Sequence, residues 1–193
     1  MDIRRWVLND LEHQTFQYKI TAGLVPKQRW SERPHEGANS VAFLVWHIAR
    51  WHDIAVNVVL RGAPPVLDAD WTARLGVGVA PGTAFTSDDV DRLGEAIDPA
   101  ELEAYWQAVF DHTTEWITGV DDQELDDLLE AVPDLDARFA AAGDILSDAG
   151  GWVADFLRGS RGARFLAWTA LSHGYWHLGE LQTVTTALGF PVA

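Results

Sequence analysis

Apolar residues recur at helical spacing in four long stretches of this chain, and no segment alternates with a period of two for long enough to propose a strand. Residues 3–24 are the first stretch. Trp6, His13, Ile20 and Leu24 share one stripe, with Arg4, Arg5, Glu12 and Lys19 elsewhere, which predicts an amphipathic helix turned inward along that stripe. Pro26 and Pro34 bracket a connection to Gly37, and Asn39-Ser40 supplies capping chemistry for a second helix from Val41 to Leu60. Arg61-Gly62-Ala63-Pro64-Pro65 ends it. Between Pro64 and Pro99 the pattern dissolves; Gly76, Gly78, Pro81 and Gly82 punctuate it, and Ser87–Leu93 reads as one short helix. A connection of roughly thirty-five residues inside a compact domain is a crossover or a functional segment. A third helix starts at Asp98-Pro99 and runs to Ile117, striped by Leu102, Tyr105, Trp106, Val109 and Thr113. The last runs from Ala163 to Leu188, where Gly189-Phe190-Pro191 stops it. The expected fold class is all-α: one domain over residues 1–193, a four-helix bundle with long crossovers, whose sites form from side chains on facing helices.

Charge narrows the function. Twenty-nine acids against fourteen bases give a formal net charge of −15 over 193 residues, so a phosphate-rich partner meets repulsion and nucleic-acid binding is not expected. Eight of the acids crowd into residues 121–136 beside Leu125, Leu128 and Leu129, the pattern of a solvated face on a short helix. The absence of cysteine excludes disulfides, thiolate metal sites and cysteine nucleophiles. Met1-Asp2-Ile3-Arg4-Arg5 lacks a signal-peptide core, and no apolar run approaches the roughly 18 residues that span a bilayer, so the expected location is cytoplasmic, away from membranes. Ten tryptophans point to core and interface packing.

The histidines carry the chemistry. His173 and His177 stand at i and i+4 in the last helix, about 40° apart on one face. Leu166, Ala170, Leu181, Val184 and Leu188 share that face, so both rings interrupt an inward stripe. His47 does the same in the second helix, alongside Phe43, Trp51, Ile54 and Val58. Three core-facing imidazoles on two bundle helices suit a divalent cation, with one ring nitrogen from each and coordination positions left open for water or substrate. Gly174 stands where a metalloprotease would carry its glutamate, which argues against a peptidase. His13 reads as a core histidine facing inward, His52 as a surface residue about 140° from His47 around its helix, and His35 as loop. Glu180, one turn past His177, is a candidate to orient a ring or accept a proton. Arg164 belongs to a basic cluster with Arg158 and Arg161 at the start of the last helix, where a substrate carboxylate could be received.

With those residues in hand, the chain resembles the DinB-like superfamily, and more closely its actinobacterial mycothiol-dependent members. Residues Gly37 to Arg50, Gly-Ala-Asn-Ser-Val-Ala-Phe-Leu-Val-Trp-His-Ile-Ala-Arg, resemble the motif ending at the first metal histidine. His173-Gly174-Tyr175-Trp176-His177-Leu178-Gly179-Glu180 resembles the fourth-helix motif, and Asp70-Trp71-Thr72-Ala73-Arg74-Leu75-Gly76 the long second crossover. The resemblance implies a divalent metal, zinc or nickel, on His47, His173 and His177. It also implies a low-molecular-weight thiol such as mycothiol, a small electrophilic substrate and a homodimer. Trp71 and Arg74 would wall the pocket. The activity implied is that of a metal-dependent thiol transferase, isomerase or hydrolase. The alternative is a non-catalytic metal-binding bundle, structural or stress-related, that dimerises through its tryptophan-rich surfaces.

Overall fold

A computed structural model of the chain describes residues 2–141 and 151–191. They are all-α, with no strand among the described residues. The long helices are α1 (Ile3–Gly23), α2 (Val41–Asp53), which continues through a π-helical turn (Ile54–Leu60), α5 (Pro99–Gly119) and α10 (His173–Ala187). Shorter pieces join them: α3 (Ala69–Leu75), α4 (Ser87–Ala96), α6 (Asp122–Glu130), α7 (Leu135–Ala141), α8 (Gly151–Leu157) and α9 (Gly162–Arg164). A second π-helical segment, Phe165–Ser172, joins α9 to α10 and packs on the first. The four long helices close a ring, α1 against α5 and α10, and α2 against α5 and α10.

Local chemistry sets the helix starts. Asp2, Ser40, Asp68, Thr86, Asp98 and Asp121 each cap a helix by accepting from backbone N–H groups that have no intrahelical partner. Ser40 is the residue that caps α2, and the acids of α6 stay exposed while Leu125 is buried, as the charge pattern predicts.

Two expectations about inward faces are corrected. Every residue from Val41 to Leu60 is buried, because α2 is covered by α5, α10, α4 and the π-segment before α10. His52, expected at the surface, is therefore fully buried; it stacks on Phe110 at 4.4 Å and its Nε2 meets Thr113 Oγ1 at 3.0 Å. On α1 the reverse holds. The buried face is Val7, Leu11, Gln14, Tyr18, Thr21 and Ala22, while Trp6, His13, Ile20 and Leu24 are exposed. The reason is the neighbour: α10 presents the bare backbone of Gly174, where Gln14 and Tyr18 fit. Gln14 donates to the Leu171 carbonyl at 2.9 Å and Tyr18 to the Gly174 carbonyl at 2.8 Å. A Cβ at Gly174 would lie 2.6 Å from the Gln14 amide.

The crossover after α2 is fastened along that helix. Asp53 and Arg50 form a buried pair at 2.9 Å. Asp53 also accepts from the backbone N–H of Val66 and Leu67, and from Tyr105 and Asn57. Further along, Arg50 donates to the Val79 carbonyl at 2.9 Å, Trp46 to that of Ala80 at 3.1 Å, and Trp51 to Thr83 Oγ1 at 2.9 Å. Residues 79–83 thus lie directly beside His47.

Candidate metal centre

The ring nitrogens of His47, His173 and His177 come within 4.8 Å of one another. His47 approaches from α2; the other two stand in the first turns of α10, just past the π-segment. Nε2 of His173 and Nε2 of His177 are 3.1 Å apart. Two imidazole nitrogens on one tetrahedral zinc at about 2.0–2.1 Å would stand roughly 3.3 Å apart, so the pair is already spaced as two ligands of one ion.

The outer nitrogens set the tautomers. His47 Nδ1 lies 2.6 Å from the Pro81 carbonyl, an acceptor only, so Nδ1 carries the proton and Nε2 keeps its lone pair. His177 Nδ1 donates to Glu180 Oε2 at 2.8 Å, and Asn39 Nδ2 donates to Glu180 Oε1 at 2.6 Å. Burial works against ionising Glu180, but the hydrogen bonds from His177 and Asn39 outweigh it and hold the carboxyl below its usual range. His173 Nδ1 is buried without a hydrogen-bond partner. Burial, then the neighbouring His177, lowers His47 to about 4; burial, then His47 and His177, lowers His173 to about 2. These two rings are neutral at pH 7, with lone pairs available to a cation. The donor set, spacing and outer-nitrogen partners fit a divalent metal ion.

Gly82 makes the Pro81 contact possible. It has φ of +88°, and a Cβ there would lie 2.7 Å from Phe43, whose ring stacks on His47 at 5.3 Å. Only glycine lets the crossover lie this close to α2.

The DinB superfamily model matches residues 17–181, a span that contains all three histidines. The chain belongs to the DinB superfamily. A solved structure described as a conserved protein from Enterococcus faecalis shares the fold, with a TM-score of 0.56 and 17% identity over 86% of this chain and 98% of that one. No curated protein matches.

In this DinB-superfamily protein the histidines form the floor of an open cleft of about 430 Å³. Its wall on the crossover side is Gly82 to Phe85, further along than the sequence reading placed it. Trp71 and Arg74 do not line it: Trp71 packs on Tyr105 at 5.6 Å, and the Arg74 guanidinium covers Trp71 and pairs with Glu101 at 2.5 Å. Arg164 lies outside the cleft with its guanidinium 4.3 Å from the Phe156 ring centre, while Arg158 and Arg161 pair with Asp136 and Glu130. His13, His35 and His112 are exposed and do not belong to the cluster. Sequence reasoning missed Asn39, the Pro81 carbonyl and the aromatic wall of Phe43, Trp51, Trp168 and Trp176. Asn39 had a signal: two capping residues stand together at 39 and 40, and one helix needs only one.

Proposed function

We propose that His47, His173 and His177 bind a divalent metal, zinc or nickel, and that the protein is an enzyme bringing a low-molecular-weight thiol of the mycothiol type to a small electrophile, as a transferase, isomerase or hydrolase. The carrying observation is the convergence of the imidazoles at the base of a cleft, with the outer nitrogens of His47 and His177 held by Pro81 and Glu180. A divalent cation there supplies the positive charge that lowers the pKa of a thiol or water reaching it. The chain supplies the rest. His47 is aimed by the Pro81 carbonyl and braced by Phe43; His177 is aimed by Glu180, which Asn39 holds. Both oxygens of Glu180 are engaged, so it acts as a positioning residue. Phe43, Trp51 and Trp168 give the cleft apolar walls beside the imidazoles. With no cysteine in the chain, the sulfur comes from a separate molecule.

No described helix is long and apolar enough to cross a membrane, which supports a cytoplasmic enzyme. The exposed Trp6, Phe16 and Ile20 of α1 would supply a homodimer contact. Two measurements test the proposal. Metal content by mass spectrometry should show one equivalent in the wild type and a large loss in His47→Ala; equally metal-poor proteins would remove the premise. The cobalt-substituted protein should change its visible spectrum when titrated with mycothiol. An unchanged spectrum favours the non-catalytic metal-binding bundle.

A further inference from the structure

The walls of the cleft are more selective than its floor. Phe43, Trp51, Phe85, Trp152, Trp168 and Trp176 line it, and no lysine or arginine does so among the described residues. The aromatic surface continues past the mouth. Trp168 meets Trp176 edge-on at 6.0 Å and Phe156 at 5.1 Å, and Phe156 meets Trp152 at 6.4 Å. Trp176, Trp152 and Phe156 are 62%, 56% and 46% exposed, among the largest apolar exposures of the molecule. Exposed aromatics gathered at the rim of a concave site mark a binding surface. Besides His173 Nδ1, one buried polar group of the lining lacks a partner: Thr169 is 5% exposed, and its hydroxyl has no hydrogen-bond partner.

We infer that this cleft takes an uncharged aromatic molecule bearing a hydrogen-bonding substituent, its ring against Trp168 and Trp176 and its polar group at Thr169. Each feature excludes an alternative. A carboxylate-rich substrate finds no lysine or arginine on the walls to pair with, and the net charge of −15 repels it on approach. A purely apolar ligand would leave the buried Thr169 hydroxyl unsatisfied. A cleft of about 430 Å³ has the volume of a small-molecule site. This inference rests on the reading of the cleft as a substrate site, but it requires no bound metal.

The test uses the full-length chain stripped of metal with EDTA, so its outcome is separate from that of the metal reading. The probe is 1-naphthalenemethanol, followed by saturation-transfer NMR and calorimetry, with succinate as the anionic comparison. The naphthyl alcohol should bind at least about tenfold more tightly than succinate. Trp168→Phe should keep that affinity, while Trp168→Ala and Trp176→Ala should each weaken it about threefold or more. Trp176 is largely exposed, so its variant keeps the fold. Thr169→Val should weaken the alcohol but leave 1-methylnaphthalene unchanged. Equal affinity for succinate, or indifference to both tryptophan truncations, overturns the inference. So does a dimer in sedimentation that Trp176→Ala dissolves while the probe fails to bind, since a second copy then covers the rim.

Discussion

Removing the Glu180 carboxylate tests whether the metal centre is held from outside its ligands. Glu180 accepts from His177 Nδ1 at 2.8 Å and from Asn39 Nδ2 at 2.6 Å, which fixes the rotation of the His177 ring and leaves Nε2 facing His173. A hydrogen bond to a charged group contributes about 1.5–3 kcal/mol. The Glu180 side chain is 35% exposed, so solvent screening favours the lower end, about 1.5 kcal/mol. Since about 1.4 kcal/mol is a factor of ten, Glu180→Ala should weaken zinc binding about tenfold. Glu180→Gln keeps an acceptor oxygen without the charge and should lose about threefold, and Asn39→Ala should fall in the same range. The assay is competition with a chromogenic chelator, with circular dichroism to confirm an unchanged helical fold. Glu180→Ala within twofold of wild type, while His47→Ala loses the metal, would refute the positioning argument and leave the ligand set standing.

Other expectations follow from the packing around the site. Burial lowers His52 to about 4, against an ordinary value of about 6.5, with only partial relief from the Ala170 carbonyl and Asp53. The folded ring stays neutral while the unfolded ring takes up a proton, so stability is fully present above about pH 6.5 and falls as pH drops toward 4. The ring's share is about 3 kcal/mol, and urea unfolding across that window should show a shallower decline in His52→Gln. Asp53→Ala leaves Arg50 buried and unpaired and frees the N–H groups of Val66 and Leu67; a loss of about 3–5 kcal/mol is expected by denaturant unfolding. Gly82→Val adds side-chain bulk at a positive φ and against Phe43, and should cost about 1–3 kcal/mol of stability while weakening metal binding. Unchanged metal affinity in that variant would show that the Pro81 contact does not aim His47.

The three histidines were legible in the sequence because helical spacing places i and i+4 on one face, and because His47 shares a stripe with large apolar residues. The caps Ser40 and Asp98 were legible for similarly local reasons, whereas helix α3 (Ala69–Leu75) inside the crossover was not. What failed depended on neighbours. Apolar count chose the Trp6–His13–Ile20 stripe of α1, but Gly174 on α10 gave the inward place to Gln14 and Tyr18. A one-sided template assigned His52 to solvent, but α2 has no solvent side. The cleft wall was misplaced for the same reason. Trp71 and Arg74 looked like ligand-binding residues, whereas the contact with His47 comes from a backbone carbonyl, and a backbone carbonyl leaves no mark in composition.

The fastening of residues 79–83 to α2 also bears on the order of assembly. Trp46, His47, Arg50 and Trp51 find their partners within the next few dozen residues, so the first imidazole is aimed by contacts that are short in sequence. Its two companions lie about 130 residues further along the chain. All three rings of the proposed metal centre therefore come together only when α10 docks against α2.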